Sequence, residues 1–155
     1  MNNPKSHRSA AARCLLIASL LLLSACRSTD QNGPTPLASV LISGNTPGQI
    51  RDAAGEVFLA NGYKVRESPD GTMIFDKPGG SMSNFAYGSW GGDPVWIRVK
   101  ASVLPAGDMK NKLQCAAFVV KDRNGSTEEE ITLSHIHSGP YQKLLDQVAA
   151  RFAFK

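Results

Sequence analysis

Val95-Trp-Ile-Arg-Val-Lys-Ala-Ser-Val103 alternates without a break. Val95, Ile97, Val99, Ala101 and Val103 fall on one side of an extended chain, and Trp96, Arg98, Lys100 and Ser102 on the other. Successive side chains of a strand point to opposite faces, so this pattern describes a strand with one face packed and the other turned to solvent or a partner. Burial on one face is the habit of an antiparallel sheet covered on one side. The flanking sequence then has to supply the cover and the remaining strands.

Downstream, Pro105-Ala-Gly-Asp108 is a turn, and Lys112 to Lys121 is apolar on both faces in places, as a central strand is. Asp122-Arg-Asn-Gly125 is a second turn. Ser126 to His137 is expected as the last strand, with Glu128, Glu129 and Glu130 solvated near its start. Ser138-Gly-Pro140 breaks it, and Tyr141, Leu144, Leu145, Val148, Ala149 and Phe152 recur as the apolar stripe of a closing helix. Upstream, Tyr63 to Glu67 and Thr72 to Asp76 flank the tight turn Ser68-Pro-Asp-Gly71 and read as a hairpin. Before it, Asn45 or Thr46 can cap a helix that has Pro47 at its first position. Ile50, Ala53, Ala54, Val57, Phe58 and Leu59 recur at helical spacing, and Asn61-Gly62 ends the run.

The expected fold class is therefore α+β, an antiparallel sheet of about five strands with N- and C-terminal helices on one face. This order is similar to the helix-grip type of domain in some envelope-assembly lipoproteins, a likeness of fold that carries no residue-level function. Residues 46–155 read as one domain. Residues 26–45 begin rich in Ser, Thr, Asn, Gly and Pro and read as a flexible tether. Within it, the apolar patch Leu37 to Ile42 can dock on the domain as a short strand.

Residues 1–25 have a different character. Lys5, Arg8 and Arg13 stand without an acid, followed by the apolar run Cys14 to Leu23. As a helix that run spans roughly 15 Å, half of a hydrocarbon core, which suits a signal peptide rather than a membrane span. Leu23, the small residues Ser24 and Ala25, and then Cys26 complete it. This set resembles the lipobox of bacterial lipoproteins. The resemblance implies cleavage after Ala25, acylation of Cys26, and a membrane partner held through that lipid. Two or three acyl chains hold durably where one holds weakly. Arg27 stands where aspartate would signal inner-membrane retention, so the implied place is the outer membrane, facing the periplasm.

Processing changes the charge. The whole chain has 17 basic and 13 acidic residues, and loss of Lys5, Arg8 and Arg13 leaves 14 against 13, a net charge of +1. The basic surface that nucleic-acid binding needs is not there, so no nucleic-acid partner is expected. With Cys14 removed and Cys26 acylated, Cys115 is left in the apolar run Leu113 to Val120, where it reads as a small core residue.

Residues 78–93 resist a structural account. Glycines stand there with Phe85, Tyr87 and Trp90. The segment reads either as a recognition loop for a protein, glycan or lipid, or as a hairpin whose aromatics fold back on the sheet. His135 and His137, on one side of the expected strand, make half of a metal site and would need carboxylates to complete it. They offer the alternative of a metal-dependent activity. No nucleophile elbow, zinc-protease motif or phosphate loop occurs, so no catalytic residue and no cofactor is assigned.

Two functions follow as expectations. The first is a non-enzymatic, membrane-anchored envelope lipoprotein that binds an envelope protein, as an accessory in assembly or maintenance, through Phe85, Tyr87 and Trp90 together with Trp96, Arg98 and Lys100. The second is a carrier or sensor that holds a small ligand or lipid between helices and sheet. A cavity of several hundred cubic ångströms lined by apolar side chains favours the second, and a filled core beneath an exposed aromatic patch favours the first.

Overall fold

Six antiparallel strands and two helices make an α+β fold with both helices on one face of the sheet. The computed structural model describes residues 35–68, 70–81, 83, 86 and 94–153. In chain order the elements are β1 (Ala38–Ser43), α1 (Pro47–Ala60), β2 (Lys64–Glu67), β3 (Met73–Pro78), β4 (Trp96–Pro105), β5 (Lys110–Lys121), β6 (Glu129–Thr132), a 3₁₀ turn (His135–His137) and α2 (Ser138–Ala150). The sheet runs β1-β5-β4-β3-β2, and β6 lies beside β5 beyond the end of β1. One edge of the long strand β5 is thus shared, with Ala38 opposite Cys115 and Thr132 opposite Phe118.

The alternation of residues 95–103 determines the layers. Ile97, Val99, Ala101 and Val103 enter the core beneath the helices, in register with Val119, Ala117, Cys115 and Leu113 of β5. Helix α1 contributes Ile50, Ala53, Ala54, Val57 and Phe58, and α2 contributes Tyr141, Leu144, Leu145 and Val148. Phe58 stacks on Phe75 at 4.1 Å between ring centres, and Tyr63 meets Phe58 edge-on at 5.2 Å. Such aromatic pairs add attraction beyond the area they bury. Helix α1 starts in a capping box in which the Thr46 hydroxyl accepts from the Gln49 amide and the Gln49 side chain accepts from the Thr46 amide. It ends where Gly62 takes a positive φ of 82° and the Tyr63 amide donates back to Phe58.

The segment read as a tether contains β1. Val40 pairs with Leu113, while Ala38 and Ile42 are buried in the core, so the docking strand is an integral edge of the sheet. The last strand is shorter than expected. Asp122 accepts from both the amide and the hydroxyl of Thr127, which keeps residues 122–127 in a turn. A side chain at Gly125 would collide with Asp122. At the other end Leu133 enters the core and the His137 amide donates to Ser134 at 3.0 Å, starting the 3₁₀ turn that runs into α2. His135 and His137 therefore sit on that turn rather than on a strand.

Candidate functional site

The sheet face turned away from the helices carries a closed network of charges. Arg98 is 3% exposed. Its Nε and Nη2 donate to the two carboxylate oxygens of Asp76, at 2.9 and 3.3 Å. Its Nη1 donates to Glu128 at 2.6 Å and to Glu130 at 2.7 Å. Asp76 is 1% exposed and also receives Arg123 at 3.0 Å, with Arg66 at 3.4 Å. Lys100 donates to Glu130 at 2.6 Å and lies over the Phe118 ring, and the Arg123 guanidinium lies 4.1 Å above Trp96. Burial on its own pushes the Asp76 carboxyl up, but the bonds from Arg98 and Arg123 outweigh it and hold the group below its ordinary value. The bond from Arg98 takes Glu128 down to about 2. In Glu130 burial is opposed and overcome by Lys100 and Arg98.

This arrangement corrects the expectation for Arg98. Arg98 is not a recognition residue offered to solvent, since its donors face carboxylates of the same chain. Lys100 and Trp96 are likewise engaged, although each keeps some exposure. Glu128 and Glu129 are exposed as expected, but Glu128 and the half-buried Glu130 also bind Arg98, and Asp76 is a buried hub of the network. A network with every carboxylate paired to a cation lacks the unpaired acid or base that acid–base catalysis needs.

A different site opens on the helix side, at the end of the sheet where β3 stops and α2 begins. There a cleft of about 520 Å³ lies among Tyr63, Lys77, Gly80, Ser83, Ala86, Ile97, Val119, Leu133, Ile136, His137, Pro140 and Tyr141. Tyr63 follows α1, Lys77, Ile97 and Val119 come from the core-facing positions of β3, β4 and β5, and Pro140 and Tyr141 belong to the first turn of α2. Other depressions of 450–490 Å³, at the β4–β5 turn and beside each helix, are more open. Tyr63 and Tyr141 are 4% and 7% exposed. Burial raises both phenols, Tyr141 to about 12. The Lys77 ammonium lies 4.3 Å above the Tyr63 ring.

Of the histidines, His137 reaches the cleft and has its Nδ1 3.4 Å from the Ser134 hydroxyl, while His135 is exposed away from its lining. Positions two apart on a 3₁₀ turn do not share a side, so the geometry that would have joined them on one metal does not arise. Among the described residues no three His, Cys, Asp or Glu side chains gather as a metal site. Cys115 is buried in the core and its thiol is pushed up to about 12 by burial, which makes it a packing residue. Leu23, Ser24, Ala25 and Cys26, and the loop residues Phe85, Tyr87 and Trp90, lie outside the described residues. No helix among the described residues is long and apolar enough to cross a membrane.

The cleft was not legible in the sequence, because Tyr63 and Tyr141 read there as a strand start and a helix stripe. No family model matches this chain, and no curated protein matches it.

Proposed function

We propose that this chain is a lipid-anchored envelope lipoprotein, held through acylated Cys26 and facing the periplasm from the outer membrane, whose folded domain binds a small amphipathic ligand in the cleft between α2 and the end of the sheet. The lipobox-like run Leu23 to Cys26 supports the anchor. The cleft supports the binding role. Its volume of about 520 Å³ and its mixture of aliphatic, aromatic and few polar groups are those of small-molecule sites. Binding is the role this reading assigns, and the carboxylates of the charge network on the other face are each paired with an arginine or lysine.

Docking of an envelope protein is the second reading, and one observation favours it. Ile136, a large aliphatic side chain at the rim of the cleft, is 91% exposed. An apolar side chain of a partner would enter the same cleft.

The test is a titration of the full chain, held in phosphatidylcholine nanodiscs, with 1-octanol. Ring resonances of isotope-labelled tyrosine report on the site, assigned with single Tyr→Phe variants. Saturable shifts at Tyr63 and Tyr141 are expected. Shifts that never saturate, or none at either ring, contradict ligand binding in the cleft.

A further inference from the structure

The lining of the cleft is chemically lopsided. Ile97, Val119 and Leu133 give it an apolar wall, and among the described residues no aspartate or glutamate lines it. Its cation, Lys77, is held over the Tyr63 ring and has no carboxylate partner among the described residues. Tyr63 and Tyr141 are each more than nine-tenths buried, yet neither hydroxyl has a hydrogen-bond partner among the described residues. No buried polar side-chain atom there is unsatisfied. The two hydroxyls must therefore reach accessible space, and the cleft is the space both residues line. The first turn of α2, which supplies Tyr141, has no side-chain cap and no acidic residue, so the positive end of its dipole is not offset from within.

We infer that the ligand is an amphipathic anion, an aliphatic chain lying along Ile97, Val119 and Leu133 and ending in a single carboxylate or phosphate that Lys77 and the hydroxyls of Tyr63 and Tyr141 receive. The inference rests on the cleft being a ligand site and adds the chemistry of its head group. Lys77 supplies the charge and the phenols donate O–H···O bonds. Burial keeps those phenols protonated, and hence donors, well above neutral pH. Removal from water strengthens each of these contacts. A neutral alcohol with the same chain keeps the apolar contact and loses the ion pair.

Octanoate, octyl phosphate and 1-octanol, titrated against the full chain in zwitterionic phosphatidylcholine nanodiscs, separate these contributions. At least one anion is expected to bind on the order of tenfold more tightly than octanol, the contribution of one charge-assisted contact. Whichever anion binds more tightly identifies the head group as carboxylate or phosphate. Lys77→Met should remove the preference while octanol still binds, which also shows that the variant is folded. Lys77→Arg should keep the preference. Equal binding of octanol and both anions, or a preference that survives Lys77→Met, overturns the inference and leaves the cleft as a ligand site. If none of the three binds, the cleft reading falls together with the inference.

Discussion

At the scale of single residues, Asp76 and Arg98 carry the largest consequences. Both are almost fully removed from water, and each satisfies the other. Arg98→Met takes one of three cations from the buried Asp76 carboxylate and leaves Glu128 without its cation, so it should cost about 2–3 kcal/mol in urea unfolding. Replacing both, as Asp76→Leu with Arg98→Met, should cost less than the single change, because the fully buried carboxylate is gone and the groups left behind, Arg123 and Glu128, are partly exposed. A single-variant loss below about 1 kcal/mol, the scale of an exposed pair, would contradict the burial described for Arg98. Cys115 makes a second residue-level case. Its thiol is buried and shifted to about 12, so at pH 8 it should resist alkylation in the folded chain and react freely in denaturant. Rapid labelling without denaturant would place it outside the core. The alternation of residues 95–103 assigned Arg98 to the polar face, and that side is correct. Its burial was not readable, because its partners come from β3, β6 and the turn before β6, which no local pattern connects.

At the scale of elements, the cap of α1 and the attachment of β6 are the informative features. Of the two caps the sequence allowed, Asn45 and Thr46, the structure uses Thr46, in a box closed by Gln49 that the sequence reading did not single out. Thr46→Ala should lower stability by about 1 kcal/mol, the usual cost of losing such a cap, as a shift in urea midpoint. The β6 strand is a four-residue ladder, and Glu128 and Glu130 fasten it across β5 to Arg98. Glu128→Gln with Glu130→Gln should speed amide exchange in residues 129–132 far more than in β4. Equal protection of residues 129–132 in this double variant and in the unchanged chain would show that backbone pairing alone holds the strand. The length of β6 was overestimated in the sequence because Ser126 to His137 contains β-compatible residues throughout. What shortens it is the Asp122–Thr127 contact at one end and the inward turn of Leu133 at the other. The patch at Leu37 to Ile42 was legible as a strand that could dock, whereas its partner along β5 was not, since pairing across that distance leaves no local trace.

At the scale of the whole molecule, acid should loosen the fold in a defined window. Asp76, Glu128 and Glu130 all have folded values below the ordinary carboxylate range, with Glu128 near 2. The unfolded chain therefore binds more protons than the folded one between roughly pH 4.5 and 2, so stability rises with pH there and falls on acidification. The thermal midpoint should be level from pH 5 to neutrality and drop steadily below pH 5, with a smaller drop in the Glu128→Gln, Glu130→Gln variant. A midpoint independent of pH between 5 and 2 would contradict the depressed carboxylates. The layer order of helices and sheet was legible in the sequence because period-2 and period-3.6 patterns report directly on which face is buried. The cleft was not, because it is the gap left where Tyr63 and Tyr141 approach from opposite ends of the domain sequence. It depends on how completely side chains fill a volume, which periodicity does not record. The most direct measurement of ligand binding is photolabelling of the full chain in nanodiscs with a diazirine-bearing octanol, read out by peptide mass spectrometry. Binding in the cleft predicts saturable adducts on the peptides that carry Tyr63 and Tyr141, competed away by unlabelled octanol. Adducts spread over the other depressions, or unaffected by competitor, would contradict it.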